Sequence, residues 1–250
     1  SDLRNFFPPA PDRFLIGPMA KLGWGTPSLV TASFGVIIEI PPGNIAILGV
    51  LKVALPHEDA PLIQIKVAFI GAMELDKQRI WFYAAMYDSR VIFVTLEGEM
   101  GLLIAWGSDA NFVLSVGGFH PSFSPPPLPF PSPRRISISI LNEVFARIRV
   151  EGYFAVTSNT VQFGAKVEVY IGLDEFRIEG YIAFDALFPF SPFHFIISIS
   201  ASLGVKVFGV GLFSVHIRGQ LEGTSPWHIE GEGSISILFF DLDVPFSHTW

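Results

Sequence analysis

Apolar residues recur at every second position over much of the chain, and this alternation constrains the fold more than any other feature of the sequence. Across residues 195–207 the odd positions are apolar, whereas most even positions are serine, glycine or lysine. Because successive side chains of a β-strand point to opposite faces, the pattern predicts a strand with one apolar and one small polar face. The same alternation occurs in residues 92–102, 147–156, 161–171 and 176–184.

The rest of the sequence supports an all-β fold with almost no helix. The best helix candidate, residues 141–147, is too short to be stable alone, and β-branched residues and glycines are frequent elsewhere. Roughly fourteen strands joined by short turns predict one long antiparallel meander. Glycines recur in mid-strand, and we expect them to allow strong curvature, so that the sheet forms a half-pipe, a groove or a barrel-like structure. These glycines are Gly49, Gly98, Gly152, Gly180, Gly231 and Gly233.

A run of prolines divides the chain into halves of similar length. Residues 125–133 include six prolines, which make a stiff, extended segment that cannot join a central strand. We therefore distinguish an N-terminal β half (1–124), a proline-rich strap (125–133) and a C-terminal β half (134–250). Because the segment also contains Leu128 and Phe130, we favour a strap that crosses one continuous sheet over a solvated linker between two domains.

The chain carries little charge for its apolar content. Half of its residues are hydrophobic and 16% are charged, against roughly 25% charged residues in an ordinary soluble domain. We therefore expect some apolar surface to contact a ligand, a lipid, a partner or the rest of a larger protein. The formal charge of −7 argues against nucleic-acid binding. The absence of cysteine excludes disulfides and thiolate metal sites but indicates no compartment.

No catalytic or metal-binding motif is present in the sequence. The six histidines lack the close pairing that builds a metal site, and we interpret His120 and His194 as turn residues that bond to backbone. No Gly-x-Ser-x-Gly elbow, Walker loop or dinucleotide-binding glycine loop occurs. We therefore predict no catalytic residues, no metal, no cofactor and no enzymatic activity, with an active site built on loops as the alternative.

Charged residues in the second half fall on the polar positions of successive predicted strands. If these strands pair in order, the charges form ladders on one outer face and oppose the stacking of sheets. The residues concerned are Arg147, Arg149, Glu151, Lys166, Glu168, Arg177 and Glu179. This pattern indicates a structural role.

The surplus of apolar positions is the remaining functional signal. The apolar faces either close on each other as an ordinary core or line a groove that a hydrophobic, lipid-like ligand fills. We predict a non-enzymatic module that binds or conducts such a ligand. The predicted ligand-binding residues are Ile148, Val150, Phe154, Phe163, Val167, Ile178, Ile182, Phe195, Ile197 and Ile199.

Two other functions stay open at this point. The first is a structural or assembly module whose partners are neighbouring domains or copies of the same protein. The second is an outer-membrane β-barrel, because the chain ends in alternating residues that finish on the aromatic Trp250. Contact with a membrane is therefore among the partners we consider, and the localisation is left unassigned.

Several phrases of the sequence resemble a conserved region of very large microbial proteins that is catalogued only as a domain of unknown function. These phrases are LGWGTP (22–27), YDS (87–89), FVLSVGGFHP (112–121), GYFAVTSNTVQFGA (152–165) and SPFHF (191–195). The resemblance spans most of the chain and implies that the chain is a fragment of a larger multidomain β protein. It implies no activity and no functional residue.

Overall fold

The computed structural model of the chain describes residues 11–26, 28–173 and 175–250. In these residues it contains sixteen β-strands, a short 3-10 turn at Gly107–Asp109 and no α-helix. The strands are β1 (Phe14–Ile16), β2 (Met19–Trp24), β3 (Val30–Ile40), β4 (Ile45–Leu55), β5 (Ile63–Glu74), β6 (Arg79–Val91), β7 (Val94–Ala105), β8 (Asn111–Val116), β9 (Ile136–Asn142), β10 (Ala146–Thr157), β11 (Thr160–Leu173), β12 (Phe176–Pro189), β13 (Phe195–Val207), β14 (Val210–Gly223), β15 (His228–Ile237) and β16 (Phe240–Thr249).

All sixteen strands belong to one antiparallel sheet, so the predicted all-β meander is confirmed. From β3 to β8 and from β10 to β16 each strand pairs with the next one along the chain. β1 and β2 both pair with β3, one beside each half of it. Among the described residues no helix is long and apolar enough to cross a membrane.

The position between β7 and β10 is shared by two short strands. β8 pairs with one half of β7 and of β10, and β9 pairs with the other half of each. The chain leaves the sheet after β8, passes through the proline-rich segment 125–133 and returns as β9. The sheet is therefore continuous on both sides of this segment, while the division of the chain into domains stays a prediction.

The sheet is open. Within the described residues β1 pairs only with β3, and β16 pairs only with β15, so the strand order has two free ends rather than closing into a barrel. The exposed surface of the chain is 15020 Å², whereas a compact monomer of the same mass exposes about 11,000 Å². An open sheet explains the difference, because much of it has no second layer.

Apart from register shifts at bulges in β6, β9 and β14, the registers place the strands in one alternation between two faces. One row of cross-strand partners runs over the whole sheet and is apolar or glycine until its last member. The row is Phe34, Gly49, Phe69, Ala84, Met100, Val116, Phe154, Phe163, Ala186, Ile197, Leu221, Ile229 and His248. We call the side of the sheet that carries this row the apolar face.

The buried core lies on the other side of the sheet, which we call the strap face. There, residues 117–135 cover the middle of the sheet; this segment contains the proline-rich residues 125–133 and is called the strap from here on. The core consists of Trp81, Leu103, Val113, Phe119, Phe130 and Ala155, with Phe123 and Leu128 packed against it. The strap is therefore a second layer over β6, β7, β8 and β10.

Phe130 is the central contact of the strap. Its ring lies 5.9 Å from the ring of Tyr83 and 6.1 Å from that of Trp81. Gly101 lies directly beneath it, and a Cβ at this position would overlap the Phe130 ring. The glycine in β7 therefore permits the close approach of an aromatic ring.

Glu99 fixes the end of the strap to the sheet. Its buried carboxylate accepts hydrogen bonds from the backbone N–H of Arg134 at 2.8 Å and from Arg134 Nε at 2.5 Å. Burial opposes ionisation, but the bonds from Arg134 and Tyr83 outweigh it and hold the pKa of Glu99 below its ordinary value. Burial and the carboxylate of Glu99 raise the pKa of Tyr83 to about 12.

Candidate functional site

The predicted ligand-binding residues all lie on the apolar face of β10 to β13. Phe154 is opposite Phe163, and Val150 is opposite Val167, which is in turn opposite Ile182. The remaining members follow from the same registers on β10, β12 and β13. Side chains two residues apart in a strand lie on the same face. Once one member of a strand is assigned to the correct face, the other members of that strand follow.

Most of this set is accessible. Ile182 is 57% exposed, Ile199 51% and Phe154 45%. Such values are high for large apolar side chains in mid-strand, where a second layer normally covers them. Ile148, Val150, Val167, Ile178 and Ile197 are half-buried, and Phe163 is exposed. Ligand binding by these residues stays a prediction, but their surface is available.

Phe195 differs from the rest because it is 8% exposed. The ring of Trp227 contacts it edge-on at 5.1 Å, and the ring of Phe188 lies at 6.4 Å. Phe195 also lies over Gly223, where a Cβ would approach its ring at 2.7 Å. It therefore supports its neighbours rather than offering a surface of its own.

A continuous chain of aromatic rings crosses one end of the apolar face, and sequence analysis did not identify it. Successive ring centroids lie between 5.1 and 6.4 Å apart. In spatial order the members are Phe184, Phe163, Phe188, Phe195, Trp227, Trp250 and His248. The parity of Phe184 and Phe188 with Ile182 could have indicated part of it, but Trp227 lies just before β15 and carries no periodic signal.

Glycines of the apolar face make room for aromatic rings. The ring of Phe246 lies over Gly231, and the ring of Phe69 lies over Gly49, so that a Cβ at either glycine would overlap it. At each of these positions an aromatic ring lies over a glycine. The surface of the apolar face therefore consists of aromatic rings separated by shallow gaps.

The strap face of β10 to β15 is polar, as the charge pattern predicted. Arg149 contacts Glu151 at 2.9 Å, and Lys166 contacts Glu168 at 2.5 Å. Three of these ion pairs, including that of Arg177 with Glu179, join residues two apart on the same strand. Lys206 with Glu179 and Arg218 with Glu232 form pairs between neighbouring strands, as the prediction of cross-strand pairs expected. The two faces of this region therefore differ completely in polarity.

A buried polar network underlies the phrase GYFAVTSNTVQFGA. The hydroxyl of Tyr153 donates to Asp185 Oδ1 at 2.8 Å, and the side chain crosses Gly164, where a Cβ would overlap the ring. The guanidinium of Arg135 lies 3.8 Å from the Tyr153 ring centroid. Burial, followed by the bond to Asp185, raises the pKa of Tyr153, so the phenol stays neutral.

His120 joins the strap to the same network. Its backbone N–H donates to Gln162 Oε1 at 2.9 Å, and its Nδ1 accepts the N–H of Ser122 at 3.1 Å. The prediction of a turn histidine bonded to backbone is confirmed for this residue. Burial lowers its pKa, so the ring is neutral and carries its proton on Nε2, which has no hydrogen-bond partner among the described residues.

A cavity of about 530 Å³ lies beside the strap and is lined by three arginines. Each of them already has partners: Arg134 bonds to Glu99, Arg149 contacts Glu151, and Arg135 donates to the carbonyls of residues 117 and 119. No group of three or more histidine, aspartate or glutamate side chains in the described residues could hold a metal ion. The apolar face is therefore the strongest candidate site.

An open antiparallel sheet with one apolar face, and a second face that is polar outside its strap-covered core, defines the class of this protein. The chain belongs to the family of unknown function DUF6603, whose sequence model matches residues 1–250. The resemblance to a domain of unknown function is thus confirmed, whereas its context in a large multidomain protein stays a prediction. Searches of curated proteins and of solved structures found no match.

Proposed function

We propose that the chain is a non-enzymatic module that holds or conducts acyl chains on its apolar face. The observation that carries the proposal is the apolar row that crosses the sheet from β3 to β16, with exposed large side chains on it and beside it, among them Phe154, Ile182 and Ile199. Removing apolar surface from water is favourable in proportion to its area, at roughly 25 cal/mol per Å². A flexible hydrocarbon is well suited to a surface of rings and gaps.

The contrast between the faces supports an acyl ligand over a polar one. On β13 the apolar face presents Ile197, Ile199 and Leu203, whereas the strap face presents Ser198 and Ser200. The described residues around Ile199 on this face are Phe184, Ile197, Ala201 and Gly219, whose side chains offer a charged headgroup no partner. A ligand on this face is therefore recognised by its hydrocarbon.

The test compares two neighbouring substitutions on β13. Ile199→Glu places a carboxylate on the apolar face, and Ser200→Glu places the same charge one residue away on the strap face. We expect Ile199→Glu to weaken binding of dansyl-undecanoic acid by at least about 10-fold, because an acyl chain cannot repay the burial of a charge. Ser200→Glu should bind the probe as the unmodified chain does, in a fluorescence titration.

Two results would count against the proposal. One is the absence of probe binding by the unmodified chain, and the other is equal binding by both variants. Circular dichroism of each variant controls for folding, because both positions lie in the middle of β13 between β12 and β14.

Self-association is a second candidate function. The chain exposes about 4,000 Å² more than a compact monomer of its mass, and stable permanent interfaces bury about 2,000–5,000 Å². A second copy packed on the apolar face would bury an area in this range, which corresponds to part of the excess of each chain. Sedimentation velocity separates the candidates: a dimer that Ile199→Glu dissociates supports assembly, and a monomer at high concentration excludes it.

A further inference from the structure

A second apolar feature lies at one end of the strands. Five hairpin connections, β6–β7, β9–β10, β11–β12, β13–β14 and β15–β16, lie at the same end of the sheet, as the registers show. The β2–β3 and β4–β5 connections lie at this end as well, and the latter is polar, with exposed His57, Glu58 and Asp59. We call the five consecutive hairpins from β6–β7 to β15–β16 the hairpin row. Each connection carries or adjoins large apolar side chains that are exposed. These are Ile92, Phe93, Val144, Phe145, Leu173, Phe176, Phe208, Val210, Leu238, Phe239 and Phe240.

The exposure of these side chains exceeds that of the apolar face. Phe239 is 99% exposed, Val144 84%, Phe208 76% and Phe93 74%. They extend past the last strand pair, so neighbouring strands cannot cover them. An isolated exposed apolar residue needs no explanation, but a contiguous set marks an interaction site.

The backbone at these turns is unfavourable for the residues it carries. Ile92, Phe208 and Leu238 have φ values of 58°, 47° and 52°. This left-handed region suits glycine, asparagine and aspartate, and two-residue hairpins normally have Asn-Gly or Asp-Gly there. The sequence thus places bulky apolar residues where turn chemistry alone favours small polar ones.

The connections at the opposite end of the sheet are less exposed and less apolar. Its turns contain Pro41 to Asn44, Asp76 to Gln78 and Ser158 with Asn159. Large apolar residues are exposed there too, but each is at most 56% exposed: Ile40, Ile45, Leu75, Trp106, Phe190, Phe193 and Trp227. Among the described hairpin connections, large apolar residues that are more than 60% exposed therefore occur only in the hairpin row.

The spacing of the tips fits an extended apolar phase. Strands lie about 4.8 Å apart, and successive hairpins are two strands apart, so the tips recur about every 10 Å along an edge whose contour is about 40 Å long. A folded partner would need a separate pocket for each tip, whereas the acyl region of a bilayer accepts all of them. Phenylalanine and leucine are side chains that peripheral proteins bury at the boundary between headgroups and acyl chains.

We propose that the hairpin row docks the chain onto a lipid bilayer by inserting its apolar tips. The hairpin row adjoins the apolar face, because strands β10 to β16 carry the apolar face and end in hairpins of the row. The proposal goes beyond acyl-chain binding and does not require it. The formal charge of −7 gives no general attraction to anionic lipid, so insertion should proceed on zwitterionic membranes.

The test replaces the three strained tips by the residue that their backbone favours. The variant Ile92→Asn, Phe208→Asn and Leu238→Asn removes apolar area while relieving the left-handed strain, so its thermal midpoint should equal or exceed that of the unmodified chain. We expect the unmodified chain to float with phosphatidylcholine vesicles, and the variant to lose at least about 100-fold in partitioning. The matched control, Phe190→Ser with Phe193→Ser at the opposite end, should float like the unmodified chain.

Each other outcome overturns the docking proposal. These outcomes are no flotation of the unmodified chain, equal flotation of the variant, flotation that requires phosphatidylserine, and vesicle-free oligomers that the variant dissociates. The last of these would assign the tips to contacts between copies. Dansyl-undecanoic acid binding, measured on the same samples, reports separately on the apolar face, so failure of one proposal is distinguishable from failure of the other.

Discussion

The region beneath the strap and the last four strands have the same alternating sequence pattern but different packing. Beneath the strap, Trp81, Leu103 and Val113 are at most 4% exposed. In β16, by contrast, every residue is exposed. The strands alone do not account for this difference, because the covering layer is supplied by residues 117–135. The alternating pattern therefore determines where a strand forms and which side chains share a face. Whether a face becomes a buried core depends on a separate covering segment.

Substitution of Phe130 should have the largest effect and should separate the two regions. Phe130→Ala removes the ring between Trp81 and Tyr83, and we expect a loss of about 3–5 kcal/mol in the free energy of unfolding. Phe239→Ala removes the same side chain where it is 99% exposed, and its effect should stay within about 0.5 kcal/mol. Urea denaturation monitored by tryptophan fluorescence measures both. Similar losses in the two variants would show that the strap adds no packing energy.

A smaller effect is expected at Gly101. Gly101→Ala introduces a methyl group against the Phe130 ring, and overpacking of this kind costs about 1–3 kcal/mol. Combining it with Phe130→Leu should recover part of the loss, because the smaller side chain leaves room for the methyl group. A double-mutant cycle measures this coupling, and strictly additive effects would contradict the contact.

Acid should destabilise the strap-covered region. The folded-state pKa of Glu99 lies below its ordinary value of 4.5, so its contribution is fully present above that value and is lost as pH falls through the lowered folded-state pKa. Burial likewise opposes ionisation of Glu74, but hydrogen bonds from Arg79 and Lys77 lower its pKa. Hydrogen exchange should show the strap opening below about pH 4.5. Glu99→Gln should flatten this pH dependence while lowering stability at neutral pH.

The smallest effect is expected on the polar surface of the last strands. Lys166→Ala removes an ion pair with Glu168 whose side chains are 37% and 43% exposed, and such pairs contribute about 0–1 kcal/mol. Thermal denaturation at low and at high salt should show that part of this small difference disappears at high salt. A loss comparable to that of Gly101→Ala would mean that the surface carries more stability than its packing indicates.

The sequence could predict what depends on local periodicity. The parity of Ile182, Ile199 and Phe154 followed from alternation, and the registers place them on one face. The turn at His120 was also predictable, because histidine beside proline commonly bonds to nearby backbone. The sheet, its meander order and the candidate surface therefore follow from short-range patterns.

The remaining features depend on contacts between distant residues. The position of Phe130 over Gly101 joins two segments with no common period, and burial of Phe195 depends on Trp227 from another connection. The left-handed backbone at Phe208 contradicts ordinary turn preferences, so a reading based on turn chemistry could not have found the apolar tips. The segment around Tyr153, residues 152–165, contributes to the network that holds the strap, and its sequence alone did not indicate this role.

The shared position of β8 and β9 has a consequence for the order of assembly. Both strands run in the same direction and lie end to end between β7 and β10, so the same two neighbours hold the two ends of the strap close together. Once β8 and β9 have paired with β7 and β10, the strap is a closed loop with anchored ends. Little further entropy is then lost in bringing those ends together. The cover and this part of the hydrogen-bonded ladder should therefore form and open as one cooperative unit, while hairpins beyond β11 exchange independently.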